Sequence, residues 1–183
     1  MSNFDFVKTE IEDVYIIETK KYGDHRGYFM ETYKKDDFDQ AGLIYNFVQD
    51  NQSSSRKGVL RGLHFQKKHP QAKLVRVIKG EVYDVAVDLR KFSPTYGKYV
   101  GVLLSEDNGK QLMIPRGFAH GFLVVSDYAE FVYKCDELYH PEDEGGIIYN
   151  DPSINVDWPK VGEFILSKKD LKNPQLKDID IKF

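Results

Sequence analysis

The chain's 183 residues, 41% of them hydrophobic and 30% charged, form an ordinary soluble balance and suit one domain with a sizeable core. A formal net charge of −3 supplies no basic footprint, so neither nucleic acid nor a membrane surface is expected as a partner. A lone cysteine, Cys135, excludes an internal disulfide and a cysteine-built zinc site, and its place at the end of an apolar strand reads as a structural thiol.

The first residues, Met1-Ser2-Asn3-Phe4-Asp5, lack the basic stretch and apolar run of a secretory signal, and apolar runs such as residues 121–125 are too short to span a bilayer. The expectation is a soluble, cytoplasmic protein. Twelve Tyr and twelve Phe fit a β-rich core. In chain order, residues 14–18 and 29–33 read as strands, and 35–42 as a short helix ended by Gly42. Residues 47–53 look extended and 54–58 read as a polar turn. The clearest strands are 74–78 and 82–89, joined at Lys79-Gly80 as a hairpin. Segments 99–104, 111–114, 121–125 and 129–135 continue the alternation at the spacing of sandwiches and barrels. Beyond Pro141, residues 142–146 read as a loop, 147–149 as a brief extended piece, Asp151-Pro152 as a turn and 167–171 as a short helix. The pattern is mainly β, without repeats, linkers or a domain boundary.

Arg61-Gly62-Leu63-His64-Phe65-Gln66, then Lys73 at the head of an alternating strand, gather a guanidinium, an imidazole and an ammonium in one short unit. Removing a proton beside a carbonyl needs such a set: a base near neutral pH, a cation at the enolate oxygen and a hold on an anionic part of the substrate. Alternation puts His64 and Gln66 on one face with Arg61 in the turn before them, and Lys73, Val75 and Val77 together on the next strand. Periodicity alone favours plainer roles, a hydrogen-bonded core histidine and a snorkelling lysine.

Two frames recur around this unit. One is Gly58, five residues, His64, one residue, Gln66, four residues, Gln71; the other is Gly109, five residues, Pro115-Arg116-Gly117, two residues, His120. Together they resemble the two motifs of the cupins, a jelly roll built as a double-stranded β-helix. Metal-binding cupins carry a histidine where Gln66 stands and a glutamate near Gln71, and neutral amides are poor ligands for a transition metal. The resemblance therefore implies a metal-free, cofactor-free cupin.

A closer resemblance rests on residues 59–66, on Gln71-Ala72-Lys73-Leu74-Val75, and on residues 114–122. It extends to residues 24–31, Gln49-Asp50-Asn51-Gln52-Ser53, Asn150-Asp151-Pro152 and Leu166-Ser167-Lys168-Lys169-Asp170, nearly the whole chain in order. These segments are similar to the dTDP-4-dehydrorhamnose 3,5-epimerases. The resemblance implies one cupin-like domain over residues 1–183, working as a homodimer whose N-terminal strands exchange and lend the Arg26 region to the neighbouring site. It implies a dTDP-4-keto-6-deoxy sugar as substrate. His64 would be the general base, Asp170 its pairing carboxylate, Lys73 the enolate-stabilising cation and Tyr133 the opposed acid. Arg61 and Arg26 would hold the diphosphate, and His120 would lie near the sugar. Gln49 and Asn51 would contact the nucleotide, Glu31 the thymine, Tyr139 would stack on the base, and Glu144 is a further contact candidate. Ser167-x-x-Asp170 is also a capping-box pattern, so Asp170 has a structural reading of its own. Ile148-Tyr149 departs from the Arg-Trp pair common in the family, which puts pocket detail or local packing in question. His25, His69 and His140 receive no role beyond solvent exposure. Single-centre epimerases and a non-catalytic sugar-nucleotide-binding cupin are the alternatives.

Overall fold

The computed structural model describes residues 2–181 and 183. Its strands are β1 (Phe4–Lys8), β2 (Tyr15–Thr19), β3 (Lys21–Asp24), β4 (Gly27–Met30), β5 (Gln49–Arg56), β6 (Leu60–Gln66) and β7 (Lys73–Lys79). They continue as β8 (Glu81–Asp88), β9 (Tyr99–Ser105), β10 (Gln111–Ile114), β11 (Phe118–Val124), β12 (Tyr128–Cys135) and β13 (Glu144–Gly146). One α-helix, α1 (Lys35–Gln40), and three short 3₁₀ turns complete the described elements. No helix among the described residues is long and apolar enough to cross a membrane.

A six-stranded sheet ordered β1-β2-β10-β7-β12-β5 faces a five-stranded sheet ordered β13-β6-β11-β8-β9, while β3 and β4 form a separate hairpin. This is the expected jelly roll. Side chains of both inner faces meet in one cluster, with Val75, Val77, Leu112 and Phe131 against Val82, Ala86, Val100 and Phe122. Each sheet is also covered outside. Ile154, Trp158, Leu176 and Ile181 from the C-terminal stretch pack on Leu63, Phe65, Val85 and Leu123. Phe38 of α1 packs on Phe4, Ile17, Leu74 and Met113. Coverage on both faces explains why β11 is buried at every position instead of alternating between buried and exposed.

Several boundaries differ from the sequence reading. The second strand is β4, closing a hairpin on β3, and ends at Met30 before Glu31 and Tyr33. Residues 54–56, read as a turn, continue β5 because β12 supplies their ladder as far as Arg56. Glu144–Gly146, read as loop, is strand because the edge of β6 takes it up. The helix expected at 167–171 is instead a turn leading into a 3₁₀ turn at Asp170–Lys172.

Arg61 lies within β6, not in a turn before it. His64 pairs with His120 and Arg61 with Phe122, so β6 spends one more residue than β11 between the two pairs. That bulge sits at Gly62, whose φ is +126° and whose missing Cβ would lie 2.5 Å from the Gly121 Cα. In a regular strand residues three apart face opposite ways. The bulge turns Arg61 and His64 toward the same interior.

Candidate active site

The open end between the sheets holds a cavity of about 280 Å³ lined by Ser53, Arg61, His64, Lys73, His120 and Tyr133, with Glu144, Lys169 and Asp170 at its side. A second lobe of about 240 Å³ shares His64, Lys73, Tyr133 and Glu144 and adds Tyr139. A larger hollow, about 390 Å³, lies against Leu74, Arg76, Gln111 and Val132 of the six-stranded sheet. Its lining contains no histidine–carboxylate pair, and chemistry places the candidate site in the cup.

His64 Nε2 lies 2.6 Å from Asp170 Oδ1. A carboxylate can only accept, so the proton of a neutral ring sits on Nε2 and the lone pair on Nδ1. The Asp170 backbone N–H donates to Ser167 Oγ at 3.0 Å, so the cap pattern and the histidine pairing coexist. Burial works to raise the Asp170 carboxyl, but the His64 contact, Ser167 and Lys169 outweigh it and hold the group below the usual range.

Lys73 opens β7 and lines both lobes, so it does not snorkel away. Burial pushes its ammonium below the ordinary lysine range, with Cys135, Asp84 and Glu144 opposing. Its Nζ lies 5.9 Å from the centre of the Tyr133 ring. Burial likewise pushes the Tyr133 phenol up, which keeps it protonated at neutral pH. His120 is buried beside Phe131, its Nε2 2.9 Å from Asp84 Oδ2, and burial lowers its pKa against the pull of Asp84.

Arg61 Nε donates to Ser55 Oγ at 3.2 Å, which aims the guanidinium along the cup. Glu144 accepts from Tyr139 Oη and from Lys169 Nζ, both at 2.6 Å. Gln49 accepts from the Tyr139 N–H at 2.9 Å and donates to Asn51 Oδ1 at 3.0 Å, while Asn51 lies opposite Tyr133 in the β5–β12 register. Two predicted residues stand apart: Arg26 is bound to Asp24 on the exposed hairpin, and Glu31 accepts from Asn3. Lys169 and Asp84 belong to the cluster and were missed. Lys169 was overlooked beside Asp170, and Asp84 carried a signal, an acidic residue at an inward position between Val82 and Ala86.

Gln66 and Gln71, which stand at metal-ligand positions of the cupin frame, are engaged otherwise. Gln66 Nε2 donates to the carbonyls of His69 and Leu138, its Oε1 accepts from His140 N–H, and Gln71 donates to the Glu137 carbonyl. His69 and His140 are not simply solvent-exposed, since their rings stack at 4.2 Å beside Asp143 and Glu142. Tyr149 packs against Phe164 on the outer face of the five-stranded sheet, so the departure at Ile148-Tyr149 bears on packing there. Cys135 is fully buried and its thiol is pushed up to about 11, chiefly by burial, in keeping with a structural role.

A jelly roll whose cup brings a carboxylate-paired imidazole, a buried ammonium and a protonated phenol around one cavity defines a cupin of the sugar-epimerase class. The family model for dTDP-4-dehydrorhamnose 3,5-epimerase matches residues 8–178. The chain is 56% identical over 172 residues to the enzyme of that name from Methanothermobacter thermautotrophicus, covering 93% of both, and 55% identical over 166 residues to that of Escherichia coli, covering 90% of both. The crystal structure of a 3,5-epimerase from Legionella pneumophila, in complex with dTDP-4-keto-L-rhamnose, superposes with a TM-score of 0.94 at 50% identity, over 97% of this chain and 95% of that one. The chain belongs to the dTDP-4-dehydrorhamnose 3,5-epimerase family.

Proposed function

We propose that the chain epimerises C3 and C5 of dTDP-4-dehydro-6-deoxy-D-glucose, giving dTDP-4-dehydro-L-rhamnose on the way to dTDP-L-rhamnose. The observation that carries this reading is the 2.6 Å His64–Asp170 pair opening on the same cavity as Lys73 and Tyr133. Both target carbons flank the C4 ketone, so each can lose a proton to an enolate with the ketone as electron sink. Neither a metal nor a dissociable cofactor is needed. His64 Nδ1 takes the proton, Asp170 steadies the resulting imidazolium, and Lys73 meets the charge that develops on the enolate oxygen. Tyr133 returns a proton from the opposite face of the ring, which inverts the carbon.

Arg61 holds the diphosphate with its paired donors, and His120 contacts the sugar. Gln49, Asn51 and Tyr139 serve the nucleotide end, and Glu144 closes the side of the cup. The remaining contacts come from a second subunit in a homodimer of single-domain chains. The β3–β4 hairpin leaves Tyr22, Tyr28 and Phe29 exposed at 53%, 61% and 66%, and it carries Arg26 with Glu31 just beyond it. Such an uncovered aromatic hairpin suits exchange onto a neighbour, where Arg26 would reach the diphosphate and Glu31 the thymine. The charged substrate fits a cytoplasmic location.

A single-centre epimerase is the second reading, because a 3'-monoepimerase from Streptomyces bikiniensis shares the fold at a TM-score of 0.88 and 31% identity. Proton NMR of the substrate incubated with the protein in deuterated water separates the two. Loss of signal at both C3 and C5 is expected. Exchange at one carbon alone would establish the single-centre enzyme, and exchange at neither would end the epimerase reading.

A further inference from the structure

Five basic side chains line the cavity: Arg61, His64, Lys73, His120 and Lys169. Two of the carboxylates near them are already engaged, Asp170 by His64 and Glu144 by Lys169 and Tyr139. Asp84 is different. It is fully buried on β8, beneath His120, with Oδ2 accepting from the ring at 2.9 Å. Its Oδ1 has no hydrogen-bond partner among the described residues. A buried carboxylate oxygen without a partner is a standing cost to the fold. The inward positions on either side of it are Val82 and Ala86, so an aliphatic residue would pack there without that cost.

We propose that Asp84 is a positioning residue of the epimerase site: it fixes the tautomer of His120, and its remaining negative charge keeps the Lys73 ammonium protonated. The catalytic use of this arrangement rests on the function proposed above. The tautomer follows from Asp84 being an acceptor, which puts the ring proton on Nε2 and leaves Nδ1 to accept from a sugar hydroxyl. The charge follows from what faces Lys73. Arg61 and His64 on β6 and His120 on β11 are basic, Tyr133 and Cys135 on β12 are held neutral by burial, and Glu144 on β13 is matched by Lys169. Asp84 supplies the negative charge that no cation in hydrogen-bond contact neutralises. A lysine that stabilises an enolate must carry its proton when the negative charge arrives, and burial works against that.

Asp84→Asn keeps an oxygen for His120 Nε2–H and removes the charge. With ¹⁵N-labelled lysine, the Lys73 titration followed by NMR should move to lower pH by on the order of one unit in this variant. The alkaline limb of kcat should move with it, kcat falling about tenfold or more and KM changing little, which a merely structural role would not produce. In the wild-type protein, ¹⁵N shifts of His120 should show Nε2 protonated and Nδ1 bare, a measurement that needs no variant to fold. An unmoved Lys73 titration in Asp84→Asn, or the Nδ1–H tautomer in the wild type, overturns the proposal. Both readings are made without substrate, so absence of C3 and C5 exchange in the wild-type protein would sink the proposed function while these titrations still decide the role of Asp84.

Discussion

His64 and Asp170 stand 106 positions apart in the chain and 2.6 Å apart in the fold, and the chemistry proposed for the cup depends on that contact. His64→Asn should lower the rate of C5 proton exchange by at least about a hundredfold, since a positioned general base contributes roughly 10²–10⁴. The His64 side chain keeps 30% of its surface exposed, so the variant should melt close to the wild type. Exchange within tenfold of wild type in a folded His64→Asn protein would remove His64 from the mechanism. Asp170→Asn is a subtler probe. An amide offers a hydrogen as readily as a lone pair and loosens the tautomer of the ring, so kcat should fall steeply while KM for the nucleotide sugar stays within a few-fold. The sequence displayed His64, Lys73, Tyr133 and Asp170 through resemblance to a family, whereas periodicity alone pointed to a core histidine and a snorkelling lysine. What decides between those readings is long-range: the strand partners β11, β12 and β13 close the cup around Lys73, and no local pattern encodes them. Asp84 escaped because a single acid in an apolar strand looks like noise until its partner, 36 positions away, is known.

At the level of elements, the β6 bulge is what lets Arg61 and His64 share a cavity. Gly62→Ala puts a Cβ 2.5 Å from the Gly121 Cα and 2.8 Å from the His120 carbonyl oxygen, at a φ of +126°. Both neighbours are backbone, so β6 and β11 must separate or the bulge must move. The variant should lose several degrees of melting temperature and most of its activity together, and wild-type turnover in Gly62→Ala would show that the bulge is not needed to aim Arg61. A second element, the turn that pins the C-terminal stretch on the outer sheet, is organised by Asp151. Its carboxylate accepts from Ser153 N–H at 2.8 Å, Ile154 N–H at 3.1 Å and Leu176 N–H at 2.7 Å. Burial works to raise this carboxyl, but the Ser153 hydroxyl, which also donates to it, and those three N–H groups prevail and hold it below the ordinary range. A depressed carboxyl stabilises the fold fully above its unfolded pKa, near 4, and that stability drains away as pH falls through the lower folded value. Asp151→Ala should therefore cost about 2–4 kcal/mol near neutral pH, by denaturant melts, and the gap to wild type should narrow below about pH 4. A gap that does not depend on pH would show that packing, not charge, anchors the turn. The strands of the two sheets were mostly legible because alternation and turn residues mark them. β13 was not, because Glu-Gly-Gly has no strand propensity and becomes strand through the vacant edge of β6.

For the whole molecule, the placement of the β3–β4 hairpin decides whose cup it serves. Within one chain Arg26 is spent on Asp24 and Glu31 on Asn3, both away from the cavity, while β1 and β2 are paired into the chain's own six-stranded sheet. If β3 and β4 reach into a neighbour, the unit of function is a pair of 21.2 kDa chains, each completing the other's site. Two consequences can be measured. Exchange predicts that the wild type sediments as dimers, and that Tyr28→Asp with Phe29→Asp, which puts charges on the exposed aromatic face of the hairpin, sediments as monomers. Complementation is the sharper measurement. A chain carrying His64→Asn has an intact hairpin but no base, and one carrying Arg26→Ala has a base but a hairpin without its guanidinium. Co-expressed in equal amounts with random pairing, half the dimers are mixed. Each mixed dimer holds one cup with a wild-type base and a wild-type hairpin from its partner, so about a quarter of wild-type activity should return, above either variant alone. If Arg26 acts on its own chain's site, no mixed dimer contains an intact site, and activity stays at the average of the two variants. Recovery thus reads out exchange directly, and its absence in a population that sediments as dimers would confine the hairpin to holding the subunits together.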